Sequence, residues 1–225
     1  MELIQVANFL NGRFLLNNIK VDKSAIVKCN LLSTFSVGSL GTTSIEKVYY
    51  DTDEFFFAEK GINIYTTFDK ASRELIIRYD SEQVSRIEFL KNIPSFFKLK
   101  IGKEDNIIKY INEITEAIYK LFPTGLSANI EEYLRKSKPQ IKIIKKRDSF
   151  RVVNNKGLKL TLSFDICEYL KVGTRSKYSQ NTLDVVGDNA KEKDEFNNFL
   201  RDLILEYPKL IKIQSNELTV ARNNL

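Results

Sequence analysis

The chain has 225 residues, of which 43% are hydrophobic and 28% charged, with a formal net charge of +6 and no histidine. This is the composition of a globular domain, and the absence of imidazole excludes histidine general-base catalysis and histidine metal ligation. Any metal would have to be held by carboxylate oxygens, which favours Mg²⁺ or Mn²⁺.

No run of about 18 apolar residues marks a membrane span. The opening MELIQVANFLNGRF lacks the basic stretch and small-residue cleavage site of a secretory leader. Cys29 and Cys167 are far apart in sequence and read as free thiols. Together these point to a cytoplasmic protein. No repeat or low-complexity linker divides the chain, so one domain over residues 1–225 is expected, with helical segments near 23–35, 105–136 and 191–207.

In chain order, FLNGRFLLNN (9–18) predicts a first strand. KSAIVKCNLLSTF (23–35) predicts a short helix, with Ile26, Val27, Leu31 and Phe35 on an apolar face. SVGSLGTTS (36–44) reads as a plain connection, since it lacks the Gly-Lys-Ser/Thr ending of a P-loop. From Ile45 to Tyr79 the pattern is strand, acidic turn, short amphipathic segment, glycine, strand, hairpin and strand. Ile62, Ile64, Leu75 and Ile77 share one face. Asn63, Tyr65, Thr67, Glu74, Ile76 and Arg78 share the other, as half-buried strands require. VSRIEFL continues the alternation with Arg86 and Glu88, a pair equally readable as surface cross-strand charges. Phe55, Phe56 and Phe57 read as core beneath a helix, with a partner site as the alternative.

DNIIKYINEITEAIYKLF (105–122) is the clearest helix, with Ile107, Ile111, Ile114, Ile118 and Leu121 in register and Pro123 closing it. A second helix is expected over 126–136. In the basic strand that follows, alternation puts Lys145 and Arg147 on one face and Lys146 on the other. A solvated edge strand guarded by lysines explains this as well as a charged interior does. Next, Leu158, Leu160, Leu162, Phe164 and Ile166 alternate with Lys159, Thr161, Ser163, Asp165 and Cys167. The polar face of such a strand meets water in an open sheet and lines a lumen in a barrel. Residues 171–180 read as a polar loop, NTLDVVGD as a strand, and 191–207 as a helix carrying Phe196, Phe199, Leu200, Leu203 and Ile204. The tail from Pro208 to Leu225 predicts one short strand and a frayed end.

Tyr49-Tyr50-Asp51-Thr52, then Gly61-Ile62, then Leu75 to Arg78, then IKIIKKRDSFRVVNNKGLKLTLSFDICEYL and NTLDVVGD, stand in an order that resembles the CYTH or triphosphate tunnel metalloenzyme superfamily. The resemblance spans nearly the whole chain. It implies an α+β fold: an antiparallel β-barrel, or tunnel, of about eight strands with helices packed outside. It also implies a lumen where lysines and arginines neutralise a polyphosphate while glutamates hold one or two divalent ions.

The chain departs from that pattern mainly on its acidic side. Phe9 and Asn11 fall where the first strand should carry two glutamates, with Arg13 at the lysine position. Thr182 and Asp184 fall on a later Glu-x-Glu pair, and Tyr65 and Thr67 replace two arginines. The expected anion-binding set is Arg13, Arg78, Arg86, Lys145, Arg147, Arg151 and Lys159. Asp165, Glu168 and Asp184 are the remaining candidates for Mg²⁺ or Mn²⁺. A cationic lumen stripped of metal ligands suits binding rather than turnover. The expectation is a catalytically degenerate CYTH-like protein that binds a phosphorylated or polyanionic ligand, or engages a protein partner. The alternatives are a metal-dependent triphosphate hydrolase and a nucleic-acid-binding module. Against the last, aromatic residues do not interleave with the basic ones.

Overall fold

The computed structural model describes residues 2–4, 10–16, 26–68, 72–79, 96–121, 129–187, 193–213 and 217–225. Its strands are β1 (Glu2–Ile4), β2 (Leu10–Leu15), β3 (Phe35–Asp51), β4 (Ile62–Phe68), β5 (Arg73–Tyr79), β6 (Phe96–Ile101), β7 (Lys138–Asn154), β8 (Lys159–Lys171), β9 (Lys177–Gly187) and β10 (Ile211–Lys212). They form one ten-stranded sheet in the order β1-β6-β5-β4-β3-β7-β8-β9-β2-β10, and every ladder is antiparallel. The helices are α1 (Phe56–Glu59), α2 (Ile111–Leu121), α3 (Ile130–Lys136), α4 (Lys193–Glu206) and α5 (Glu217–Asn224). The α+β class and the antiparallel sheet that the resemblance implies are therefore present, as are the strands read from the alternation.

The sheet curls. β1 pairs with β6 near one end and β2 pairs with β9 near the other, yet only five residues separate Ile4 from Leu10, a reach of about 20 Å. Among the described residues no ladder closes the ring, so the expected barrel of about eight strands is a curled sheet of ten. Its end strands, of three and two residues, offer little backbone for a closing ladder.

Residue alternation sorts the two faces. On the outer face Phe14, Leu160, Leu162, Leu183 and Val185 pack with Phe196, Phe199, Leu200 and Leu203 of α4. Further along, Ile62, Ile64, Leu75, Ile77 and Phe97 pack with Ile111, Ile114 and Ile118 of α2 and Ile130 and Leu134 of α3. These are the apolar stripes legible in the sequence, and their burial supplies the main driving force of the fold. The inner face is mixed. Tyr49, Tyr65, Ile141, Ile143, Cys167 and Tyr169 cluster there with Leu218 and Ala221 of α5.

Four local expectations are corrected. Residues 36–44 are not a loop but the exposed half of β3, paired along its length with β7 and adjusted by a register shift between Ser39 and Gly41. Gly41 has φ +90°, a value that favours glycine. Residues 171–180 are half strand: β8 runs to Lys171 and β9 starts at Lys177, so the loop spans only 172–176. In the 23–35 segment, Ile26 and Val27 are helical as expected, but the helix does not run to Phe35: a 3-10 turn follows at Asn30–Leu32, and β3 begins at Phe35. The tail carries the predicted short strand, β10, but ends in a helix rather than a frayed end, and that helix lies on the inner face instead of outside.

Candidate functional site

Antiparallel pairing sets residues opposite one another with their side chains on the same face. Arg13 of β2 stands opposite Asp184 of β9, and Asp184 opposite Ser163 of β8. Asp165 of β8 stands opposite Arg147 of β7, with Lys145 two residues along. Lys47 of β3 stands opposite Ile143 of β7. The period of two therefore gathers four cations and two carboxylates from five strands on the inner face. The seventh charge, Glu217, comes from the first turn of α5.

Six of these groups make a closed ring of ion pairs, and Lys47 joins it through Glu217. Arg13 grips Asp184 through two hydrogen bonds, Nε to Oδ1 at 2.6 Å and Nη2 to Oδ2 at 2.9 Å. Arg147 grips Asp165 in the same two-point way, at 2.7 Å for each bond, and its Nη2 also reaches Asp184 Oδ2 at 2.7 Å. Lys145 lies 3.2 Å from Asp165 Oδ2 and donates to Glu217. Lys47 donates to the other Glu217 oxygen at 2.6 Å, and Arg13 Nη2 closes the ring at 3.5 Å from Glu217 Oε1. On a flat sheet β2 and β3, four strands apart in the order, would lie about 19 Å from each other. Both reach one carboxylate, so the sheet is concave on this side.

The ring is largely dry. Lys145, Asp165, Asp184 and Glu217 are buried, while the Arg13, Arg147 and Lys47 side chains keep 23, 26 and 21% of their exposure. Burial pushes the Glu217 carboxyl up, but Lys47, Lys145 and Arg13 outweigh it and hold the group well below the usual carboxylate range. Asp184 follows the same balance: burial raises it, and Arg13, Lys145 and Arg147 bring it below the ordinary value. Burial disfavours the charged forms of Lys47 and Arg147, yet Glu217 raises Lys47, and Asp165 and Asp184 raise Arg147.

The sequence-derived candidates separate into three groups. Arg13, Lys145, Arg147, Asp165 and Asp184 are brought together in the ring. Arg78 is exposed on β5, on the same face as Glu74 and Ile76, and close enough to Tyr49 to act on its hydroxyl. Arg151 and Lys159 lie toward one end of β7 and β8, away from the ring. Glu168 is on the outer face, paired with Lys177 at 2.9 Å, so it is not grouped with Asp165 and Asp184. Arg86 and Glu88 lie outside the described residues.

A divalent metal does not fit the ring as it stands. Each oxygen of Asp165 and Asp184 already accepts from a guanidinium. Among the described residues no three Asp, Glu or Cys side chains form a metal-holding group. A hard cation needs several oxygens turned towards it, whereas here they are turned towards arginines.

Two members of the ring were missed from the sequence. Lys47 alternates with Tyr49 in IEKVYY, a signal that the register of β3 could have supplied. Glu217 had none, because it sits in the tail. The Tyr-Asp-Thr motif has a structural role: Asp51 Oδ1 accepts from the backbone N–H groups of Thr52 and Phe57, and Oδ2 from that of Ala58. This pins α1 to the end of β3.

The architecture and the ion-paired inner face define a curled antiparallel sheet protein with a charged concave face. Solved structures similar to it include a candidate adenylate cyclase from Bacillus halodurans (11% identity, TM-score 0.48, covering 93% of this chain and 95% of that one). Also similar are the candidate adenylyl cyclase HpAC1 from Hippeastrum, described as having a dominant triphosphatase activity (12%, 0.46, 96% and 94%), and PH1819 from Pyrococcus horikoshii (14%, 0.43, 95% and 96%). No protein-family model and no curated protein sequence matches the chain. No helix among the described residues is long and apolar enough to cross a membrane.

Proposed function

We propose that the protein binds a polyanionic ligand, of the phosphate or polyphosphate type, on the concave face of its sheet and does not hydrolyse it. One observation carries this reading: the carboxylates available for metal chemistry, Asp165 and Asp184, are bound by Arg147 and Arg13. Paired guanidiniums are the side chains best shaped for phosphate oxygens. In a hydrolase of triphosphate those carboxylates would instead orient a metal and polarise the phosphoryl group. The ring holds four cations and three carboxylates, so the face keeps a positive charge even with every internal pair made. Arg78 adds a further exposed cation on the same side of the sheet.

The test is titration calorimetry with tripolyphosphate and ATP, run beside phosphate-release assays with and without Mg²⁺ or Mn²⁺. The expected result is binding without release, weakened by Arg147→Ala. Metal-dependent release that Asp184→Ala abolishes would establish a hydrolase and overturn the reading. Absence of binding to either compound, both by the wild type and by Glu217→Gln, would overturn it as well.

A further inference from the structure

The C-terminal helix α5 occupies the concave face in the manner of a ligand. Its Glu217 carboxylate rests in a seat made by three cations from three different strands: Lys47 at 2.6 Å, Lys145 in direct hydrogen bond, and Arg13 at 3.5 Å. Behind the carboxylate, Leu218 and Ala221 lie against the wall formed by Tyr49, Tyr65, Ile143 and Tyr169. At its far end Arg222 stacks 4.7 Å from the Phe55 ring and lies 3.7 Å from Glu59.

The sheet does not need this helix. The ladders joining β3, β7, β8, β9 and β2 are backbone to backbone and complete without it. Of its eight residues only Glu217, Leu218 and Ala221 are buried, with Val220 and the adjoining Leu225 partly buried against the same cluster, so its apolar anchor is modest and is joined by the charge contact of Glu217.

We propose that Glu217 is an internal substitute for the external anion: a polyanion binds by taking over the Lys47–Lys145–Arg13 seat and releasing α5 from it. This rests on the anion-binding reading given above. The tether gives Glu217 an effective concentration in the mM range, so an external monoanion would exchange one charge for the same charge at a disadvantage. A tripolyphosphate carries several charges. With Glu217 out, four cations face two carboxylates, and the surplus favours the multiply charged ligand. Closure by α5 lowers the apparent affinity by the fraction of molecules that are open, and the seat thereby discriminates against small monoanions.

The test uses the full chain in three forms: wild type, Glu217→Gln, and Leu218→Asn, which loosens α5 without touching a charge. Tripolyphosphate affinity is measured for each, together with hydrogen exchange of the α5 amides in the wild type. The expected results are affinity about tenfold tighter in both variants and faster α5 exchange in wild-type protein saturated with tripolyphosphate. If wild type binds, but Leu218→Asn binds equally and the α5 amides stay protected, the exchange is overturned and the anion-binding reading stands. If none of the three binds, both fall. Binding by the variants alone supports both. Should a variant fail to fold, the wild-type exchange measurement decides.

Discussion

Arg13 and Asp184 stand opposite each other on neighbouring strands and meet through two hydrogen bonds, although 171 residues separate them in the chain. The pair joins the first long stretch of the sheet to the last. Asp184 also accepts from Arg147, so one carboxylate serves two guanidiniums. Removing it takes from Arg13 its main acceptor, leaving only Glu217 Oε1 at 3.5 Å, and from Arg147 one of its two carboxylates. Asp184→Ala is therefore expected to cost about 3 kcal/mol, the low end for breaking a buried pair, because both arginines retain some contact with water. Arg13→Ala leaves Asp184 with Arg147 and should cost about 2 kcal/mol. In a double-mutant cycle followed by urea unfolding, the two losses should fall short of additivity by about 1 kcal/mol or more. Additive losses would show that the contact is not coupled.

The acid limb of the stability curve follows from the same ring. Glu217 and Asp184 have folded values below their unfolded ones. A group shifted in this direction contributes stability that is fully present above its unfolded value, about 4, and is lost as pH falls towards its folded value. Stability should thus hold from neutral pH to about 5 and decline below about 4. Lys47 is shifted upward. Its contribution is present below its unfolded value, about 10.4, and is lost as pH rises through the folded one. Thermal melts of Glu217→Gln between pH 2 and 6 should show a shallower acid decline than wild type. Parallel curves would place the acid sensitivity elsewhere.

The outer face was legible in the sequence because its signal is local. Ile62, Ile64, Leu75 and Ile77 alternate within short runs, and Ile107, Ile111, Ile114, Ile118 and Leu121 repeat at helical spacing, so each stripe can be read without knowing its partner. The same alternation put Lys145 and Arg147 on one face of their strand and Asp165 on the polar face of the next, and the β7–β8 ladder brings those two faces together. What stayed hidden depends on contacts distant in sequence. Ser36 to Ser44 is rich in glycine and serine and reads as a loop, but pairing with β7 holds it extended. Glu217 acquires its meaning only from Lys145, Lys47 and Arg13, which are 72, 170 and 204 residues away. Sequence reading also treated the surviving cations as open for a ligand. The fold shows that carboxylates of the same chain already engage those in the ring.

The cysteines provide a check on the packing of the inner face. Cys167 lies on that face beside Tyr169, and burial pushes its thiol up to about 11. Burial raises Cys29 as well, beneath the outer cluster. At pH 8 only about one Cys167 in a thousand would be a thiolate, and neither sulfur is open to a reagent. Labelling with an aromatic disulfide at pH 8 should be slow in native protein and reach two thiols after denaturation. If tripolyphosphate releases α5, Cys167 should label faster in its presence, whereas Cys29 should not change.

Asp51 ties the end of β3 to the helix that supports α5. Its carboxylate accepts from three backbone N–H groups, those of Thr52, Phe57 and Ala58. Between them Phe55 adopts φ +55°, a left-handed value uncommon for a bulky residue, and so presents its ring to Arg222. Asp51→Ala would leave those donors without acceptors in a buried turn, at an expected cost of about 2 kcal/mol. Asp51→Asn keeps one acceptor oxygen and should recover about half of that. The turn also positions the contact at the far end of α5. Asp51→Ala should therefore raise hydrogen exchange in residues 218–224 while leaving the amides of β8 protected. Uniform loss of protection across the sheet would mean instead that the turn supports the whole fold and has no particular link to α5.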